Sequence, residues 1–403
     1  MFSRKRILLA IGGGIAAYRS AELARLLIKQ GAEVRTVMTR SACQFITPMT
    51  MEALTGEVAH TDMFDLTAER EMGHIQLARW ADVLLVAPAT ADLIGKFTHG
   101  ICDNLLTTLF QARRGPVLLA PAMNVAMWQA TATQHNMQQL QEQGVHRIGP
   151  ADGELACGEI GPGRMSEPES IVAALAPLLV EQQLSGQHWV INAGPTWEAW
   201  DGVRILSNRA SGRFGVLLAD AAAVRGARVT LIAGPHAPQN RQPMDRIDVI
   251  SAHDMLKNCQ QSASGADVFV ATAAVGDYRF AEHLTGKLKR GDDNREITVR
   301  LVENTDIVAH IAAMQGRPKL VIAFAAEAEA HVGSARGKML KKGVDAIFTN
   351  DISRMGNDEG AGWWLVGDSV EQAECMHKAQ LAVWLLTRIR KLQTEDTSEG
   401  ETA

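Results

Sequence analysis

Along this chain, short runs of apolar and β-branched residues alternate with segments whose apolar positions recur every three or four residues, the two periods that separate strand from helix. Lys5 to Ile11 reads as a strand and Gly12-Gly13-Gly14 as a turn. Ile15 to Gln30, with Ala17, Leu23, Leu26 and Leu27 at helical spacing, reads as a helix, and Glu33 to Met38 as a second strand. The alternation continues through a strand Val83 to Ala87, a helical segment Ile94 to Gln111, a strand Val117 to Ala120, and helices Met127 to Gln143 and Glu169 to Gln182. The polar stretch Gln182 to His188 then interrupts it, and Trp189 to Ala193 opens a second round. That round has a helix Gly212 to Arg225, strands Arg228 to Ala233, Val268 to Ala271 and Lys319 to Ala323, a helix Val332 to Lys342 and a strand Ala346 to Thr349. Short strands separated by helices predict parallel sheets covered on both faces. The expected fold class is α/β, with two doubly wound, Rossmann-like parallel-sheet domains in tandem at residues 1–186 and 187–392. Residues 393–403 hold Glu395, Asp396, Glu399 and Glu401 without a large apolar residue, which predicts a disordered acidic tail.

Composition narrows the function. The 403 residues, 46% hydrophobic and 21% charged, are enough for two or three domains with separate cores. A formal net charge of −5, with only short basic pairs such as Arg113-Arg114 and Lys341-Lys342, argues against a nucleic-acid partner held by counterion release. Five widely spaced cysteines without a C-x-x-C pair fit neither a disulfide framework nor a zinc site, so a reducing, cytoplasmic compartment is expected. The start, MFSRKRILLAIGGG, has the basic and apolar beginning of a signal peptide, but glycines stand where a cleavage site would be, and it is read as the first strand. Apolar stretches such as Val83 to Ala89 fall short of the roughly 20 residues of a membrane span, so no membrane partner is expected.

Ligands of open parallel sheets bind beyond the carboxyl ends of the strands, and the unusual residues of this chain follow its strands. Gly12 to Ala17 fits G-x-G-x-x-A between strand and helix, a place where backbone N–H groups can cradle phosphate. The second strand ends in Thr39-Arg40-Ser41 instead of an acidic residue, which favours a mononucleotide such as FMN, or the 2′-phosphate of NADP, over NAD. The small-residue loops at Ala87 to Asp92 and Pro121 to Met127 let a flat ring lie against backbone, with Thr90 and Asn124 free to hydrogen-bond; for either loop alone, an ordinary strand-to-helix connection with Asn124 as a cap is the better explanation of the residues. His74 stands before the strand at Val83, and Cys157 lies in the glycine-rich segment Gly153 to Met165, which reads as a movable flap. In the second half, Arg204 to Arg213 brings a hydroxyl, an amide and three arginines to a helix N-terminus, a strong anion site. Asp277 follows a strand, Lys287-Leu288-Lys289-Arg290 is a basic loop, and Lys338 and Lys342 share a helix face, as in sites that neutralise a leaving pyrophosphate.

The segments GGIAAYR, MTRSACQFITP, GHIQLARWADVLLVAPATAD, PAMNVAM and ACGEIGPGRM, in this order, resemble the FMN-dependent cysteine decarboxylase family. With the blocks of the second half, Asn304 to Val308 and Phe324 to Glu327 included, the likeness extends from about residue 4 to 390 and is to the bifunctional phosphopantothenoylcysteine decarboxylase/phosphopantothenate-cysteine ligases of coenzyme A biosynthesis. The resemblance implies that FMN is held by Gly13, Gly14, Ile15, Thr39, Ser41, Phe45, Thr90, Met123 and Met127. His74 then helps as base while the substrate's cysteinyl thiol is oxidised to a thioaldehyde, Asn124 holds the carboxylate that leaves as CO2, and Cys157 donates the proton as the product is reduced to 4′-phosphopantetheine. For the ligase it implies attack of 4′-phosphopantothenate on the α-phosphate of CTP with Mg2+ present, then displacement of CMP by the amine of L-cysteine. Asn208 stabilises the acyl-cytidylate in that scheme. Arg204, Ser211, Gly212 and Arg213 hold the substrate phosphate. Ala273, Asp277, Lys287, Thr305, Asp306, Ile307, Val308, Phe324, Lys338 and Lys342 form the nucleotide pocket. It also implies trimeric decarboxylase units and dimeric ligase units. The second half departs from the family pattern: Trp197 stands for Arg, Ala199-Trp200 for an aliphatic and Pro-containing stretch, Arg213-Phe214 for Lys-Met, Thr305 for Pro and Gly343 for Asn. Those departures leave open a second reading, a decarboxylase of another cysteinyl substrate with a drifted ligase half; a flavin-binding scaffold and an NADP oxidoreductase are the further alternatives.

Overall fold

The structure is a computed structural model that describes residues 2–63, 73–156, 158–288, 296–327, 332–351 and 357–400. The chain forms two compact units, Met1–Glu181 and Gln182–Ala403. The division falls at the start of the polar stretch that interrupts the hydrophobic pattern, before the expected position at residue 186.

In the first unit, strands β1 (Arg6–Ile11), β2 (Glu33–Met38), β3 (Ala59–His60), β4 (Val83–Ala89), β5 (Val117–Pro121) and β6 (His146–Arg147) form one parallel sheet in the order β3-β2-β1-β4-β5-β6. Its helices are α1 (Arg19–Lys29), α2 (Pro48–Thr55), α3 (His74–Trp80), α4 (Ala91–Thr98), α5 (Leu105–Ala112), α6 (Val125–Gln129), α7 (Thr131–Glu142) and α8 (Pro168–Leu179). An antiparallel hairpin, β7 (Ala151–Glu154) and β8 (Ile160–Arg164), stands apart from the sheet. Alternation along β1 serves both faces: Leu8 and Ala10 join the core formed with Leu93, Phe97, Leu106 and Phe110, while Ile7, Leu9 and Ile11 are fully buried as well. Three expected helices are subdivided. Ile15–Tyr18 is a 3-10 turn before α1. The segment Ile94 to Gln111 is two helices, because Gly100 takes a φ of 67° and Asn104 starts a new capping box with Thr107. Met127 to Gln143 is split where Ala130 is extended, with ψ 132°.

The second unit repeats this order and adds to it. Its strands are β9 (His188–Ala193), β10 (Trp197–Ala199), β11 (Ile205–Ser207), β12 (Arg228–Ala233), β13 (Asp245–Asp248), β14 (Val268–Ala271), β15 (Tyr278–Phe280), β16 (Leu301–Glu303), β17 (Leu320–Glu327), β18 (Ala346–Asp351), β19 (Glu359–Val366) and β20 (Ser369–His377). Its helices are α9 (Arg213–Val224), α10 (Ala252–Ala263), α11 (Ile307–Ala313), α12 (Val332–Lys342) and α13 (Lys378–Gly400). The main sheet runs β13-β12-β9-β14-β17-β18-β19-β20, parallel up to β18 and antiparallel thereafter. Trp189, Ile191 and Ala193 pack on one face with Leu218 of α9 and Leu385 of α13; Val190 packs on the other with Met255 of α10 and Ile311 of α11. Strands β19 and β20 are not among the elements expected from the sequence; β20 is an edge strand whose residues are exposed at most positions, so no hydrophobic pattern announces it. The backbone of α13 continues to Gly400, so the segment expected to be a disordered tail from 393 is helical at least that far.

Candidate active sites

In each sheet the strand order reverses beside its first strand, between β1 and β4 and between β9 and β14, and doubly wound sheets open a crevice at that place. In the first unit the loops that follow β1 and β4 meet there, with the Gly12 N–H donating to the Pro88 carbonyl at 3.1 Å. Gly13 crosses the loop after β2 so closely that a Cβ would fall 2.2 Å from Ser41 Cβ, so only glycine permits this approach. The Thr39 N–H donates to the Ile11 carbonyl at 3.1 Å, which ties the ends of β1 and β2 together, and Thr39 Oγ1 accepts from the Ala42 N–H at 3.1 Å within the loop after β2. Gly14 is extended and opens the turn that carries Ile15. Ile15, Phe45 and Met127 are apolar yet about half exposed, a surface suited to covering by a flat ring. Thr90 caps α4, accepting from the Leu93 N–H at 3.3 Å.

Asn124 combines a cap with a side-chain donor. Its Oδ1 accepts from the N–H groups of Ala126 at 2.7 Å and Met127 at 3.4 Å, and its Nδ2 donates to Glu159 Oε2 at 2.7 Å. Met123, one residue earlier, donates its N–H to the Gly163 carbonyl at 3.0 Å, which fastens the β7–β8 hairpin to this loop. His74 is the first residue of α3 and half-buried, and α3 leads into the start of β4. Cys157 lies outside the described residues. The flap that carries it turns through the Leu155 N–H donating to the Glu159 carbonyl and the Gly158 N–H donating to the Leu155 carbonyl, both at 2.8 Å. Sequence reasoning passed over Glu159, although it follows Cys157 by two positions in the segment read as a flap.

In the second unit a cavity of about 840 Å³ lies at the carboxyl edge of the sheet. Ser211, Gly212 and Arg213 bring the N-terminus of α9 to it, Ala273 and Asp277 enter from the loop after β14, and Thr305, Asp306, Ile307 and Val308 from the start of α11. Phe324 of β17 and Lys338 and Lys342 of α12 complete the set. Gly212 is held at φ 67°, and a Cβ there would lie 2.9 Å from Gly194 Cα, so the helix N-terminus sits directly on the loop after β9. Asp306 caps α11 by accepting from the Ala309 N–H at 3.1 Å and also takes the Lys342 ammonium at 2.7 Å. Burial alone would raise the Asp306 carboxyl, but Lys342 and the backbone donors outweigh it and hold it below the usual carboxylate range. Arg213 is ion-paired with Asp358. Lys378, missed in the sequence, lines the same cavity, where burial and the Arg213 guanidinium hold its ammonium below the ordinary lysine value.

Three expected residues stand off the cavity wall. Arg204 is engaged by the buried carboxylate of Asp201 and lies 5.5 Å over the Trp200 ring. Asp201 also accepts from the N–H groups of Val203, Arg204 and Leu288. Burial pushes the Asp201 carboxyl up, yet these donors hold it down at about 2. Lys287 is exposed beside Leu288, in the loop that Asp201 anchors. Asn208 is also exposed, and its Nδ2 donates to the carbonyls of Ala274 at 3.2 Å and Val275 at 3.0 Å, both of which line the cavity. The departures have local accounts. Trp197 packs edge-on against His236 with centroids 5.1 Å apart, Trp200 stacks on Phe280 at 5.7 Å, and Gly343 holds φ 64° after α12, a conformation that Asn also tolerates. Nothing in the structure explains Thr305 in place of Pro.

No helix among the described residues is long and apolar enough to cross a membrane. The Flavoprotein family matches residues 1–179, and the DNA/pantothenate metabolism flavoprotein C-terminal domain matches residues 184–392. The chain is 46% identical over 87% of its length to the coenzyme A biosynthesis bifunctional protein CoaBC of Vibrio parahaemolyticus, of which 88% is covered. It is 43% identical over 96% of its length to that of Vibrio vulnificus, with 98% covered, and 42% identical over 87% to that of Escherichia coli K12, with 87% covered. A flavoprotein unit followed by the C-terminal domain, in one chain that spans nearly the whole of these relatives, means that the chain belongs to the family of coenzyme A biosynthesis bifunctional proteins.

Proposed function

We propose that the chain is a bifunctional enzyme in which the second unit joins L-cysteine to 4′-phosphopantothenate and the first decarboxylates the resulting 4′-phosphopantothenoylcysteine to 4′-phosphopantetheine. The observation that carries the ligase reading is the convergence of an α-helix N-terminus, Arg213, Lys338, Lys342 and Phe324 on one cavity from segments far apart in the chain. In this reading Ser211, Gly212 and Arg213 hold the phosphate of 4′-phosphopantothenate. Its carboxylate attacks the α-phosphorus of CTP, and Lys338 and Lys342 neutralise the charge that collects on the departing pyrophosphate. The mixed anhydride left behind, the acyl-cytidylate, is then opened by the amine of cysteine with release of CMP, next to Asn208. Mg2+ enters with the triphosphate. Arg204 acts at one remove: with Asp201 it holds the loop that carries Lys287.

The glycine crossing at Gly13, the extended Gly14 and the exposed apolar side chains of Ile15, Phe45 and Met127 fit FMN, with Thr39, Ser41, Thr90 and Met123 shaping the surrounding loops. FMN bound there supplies the two-electron oxidation of the cysteinyl thiol and the return of those electrons after CO2 has left. The protein's residues handle protons and charge. His74 takes the thiol proton, Asn124 Nδ2 holds the carboxylate that is lost, and Cys157 gives a proton to the carbon that carried it. The enzyme is cytoplasmic in this reading, with trimeric decarboxylase and dimeric ligase units.

Purified protein supplied with 4′-phosphopantothenate, L-cysteine, CTP and Mg2+ forms both 4′-phosphopantothenoylcysteine and 4′-phosphopantetheine, as read by mass spectrometry. Decarboxylation of supplied 4′-phosphopantothenoylcysteine without ligation would overturn the ligase half. Turnover of a C-terminal cysteine peptide, with none of 4′-phosphopantothenoylcysteine, would overturn the substrate assignment of the first.

A further inference from the structure

We propose that the flap carboxylate of Glu159 is an internal competitor for the position that the substrate's carboxylate takes on Asn124, so that the flap discriminates substrate from product by the one group the reaction removes. The inference rests on the reading of Asn124 given above and deepens it. The amide of Asn124 is oriented unambiguously, because its oxygen accepts from the Ala126 and Met127 N–H groups of α6 and its nitrogen is therefore the end turned to the flap. That nitrogen donates to Glu159 Oε2 at 2.7 Å, the length of a charge-assisted bond. A carboxylate thus already occupies the donor that would recognise the cysteinyl carboxylate.

The geometry also says how this carboxylate can leave and return. The hairpin is tied to the Asn124 loop by the Met123 N–H bond to the Gly163 carbonyl, its two strands pair through Gly153 with Gly161 and Glu154 with Ile160, and Leu155–Glu159 and Gly158–Leu155 backbone bonds are found at its turn. The hairpin backbone therefore keeps its place while the exposed Glu159 side chain can rotate off the amide about its own torsions. A substrate that carries a carboxylate displaces Glu159 from Asn124. A product that has lost its carboxylate cannot do so, and Glu159 stays on, or returns to, the amide. Apparent affinity falls by the fraction of protein in which the site is open to the ligand, so this contact weakens substrate binding and leaves product binding untouched.

The test uses the full-length, FMN-loaded protein and its Glu159→Ala, Glu159→Asp and Asn124→Ala variants, with flavin absorbance as the check that each has folded and kept its cofactor. Two readouts are taken: kcat and KM for 4′-phosphopantothenoylcysteine with 4′-phosphopantetheine as competitive inhibitor, and calorimetric binding of the serine analogue, whose hydroxyl cannot replace the thiol in the redox step. Glu159→Ala is expected to lower both KM and the dissociation constant of the analogue by about three- to tenfold, the range of one net hydrogen bond, since solvent screens the exposed Glu159 carboxylate. The inhibition constant of 4′-phosphopantetheine is expected to stay constant, and Glu159→Asp to fall between wild type and Glu159→Ala. A KM that is unchanged or raised in Glu159→Ala, or a fall in kcat alone as for a residue that merely positions Asn124, overturns the inference. Asn124→Ala tests the underlying reading separately: weaker analogue binding there supports it, and unchanged binding overturns that reading and the inference with it.

Discussion

The Lys342 ammonium and the Asp306 carboxylate meet 2.7 Å apart on the wall of the second unit's cavity, joining the last turn of α12 to the N-cap of α11. Lys342 is therefore held in place by a fixed anion before any nucleotide arrives, and a triphosphate must share it with Asp306.

Lys342→Ala is expected to raise the KM for CTP about tenfold, the scale of one lost charge-assisted contact, with decarboxylation of supplied 4′-phosphopantothenoylcysteine unchanged because that chemistry belongs to the other unit. Asp306 adds a pH signature. Its carboxyl lies below the usual range in the folded protein, so its contribution to stability is complete above the ordinary carboxylate value of about 3.9 and is lost as pH falls through the lowered folded value. Asn also caps helices, so Asp306→Asn should keep α11 while removing that acid-side loss. Urea unfolding of the two proteins from pH 6 down to pH 3 measures it: a gap at neutral pH that narrows below about pH 4 is expected, and a constant gap would contradict the assignment.

Gly13 and Gly14 separate fold from cofactor. Gly13→Ala puts a methyl 2.2 Å from Ser41 Cβ and should force the loops after β1 and β2 apart, with the protein purified colourless and destabilised by about 1–3 kcal/mol. Gly14→Ala meets nothing nearer than Thr90 Cγ2 at 3.9 Å and keeps an extended backbone, so it should fold normally. Any flavin lost from that variant, read by the visible absorbance of the purified protein, reports on the ligand site itself.

Asp201→Ala removes the acceptor of three backbone N–H groups and of the Arg204 guanidinium at once. The loop carrying Lys287 should lose its anchor and ligation should fall, while Arg204→Ala, which leaves the backbone donors satisfied, should do less. Phosphate binding through Arg204 itself would reverse that order, and the KM for 4′-phosphopantothenate in the two variants decides it. Because the folded carboxyl sits at about 2, Asp201's contribution is present above the ordinary carboxylate value and is lost only as pH falls toward 2.

Much of the architecture is written locally. The strand β2 and the helix α12 coincide with their expected bounds, since a two-residue or three-to-four-residue period needs no knowledge of the rest of the chain. The glycine turn after β1 is legible for the same reason: the requirement for glycine is already visible in the order strand, Gly-Gly-Gly, helix. Breaks inside the helical segments were not legible, because Gly100 and Ala130 adopt their non-helical conformations within a pattern that remains amphipathic across them.

The sequence by itself determined the two rounds of strand and helix, the loops at the strand ends and the residue types those loops carry, because each of these depends on neighbours a few positions apart. Only the tertiary structure decided what each charged group faces. Arg204 and Arg213 come from one basic segment, yet Arg204 is committed to Asp201 and Arg213 reaches the cavity beside Lys378. Asn124 meets Glu159, and Lys342 meets Asp306, across long stretches of chain. The physical reason is that hydrophobic periodicity reports burial, which is a property of one position and its local frame, whereas the partner of a charge is chosen by the packing of segments that the period does not relate.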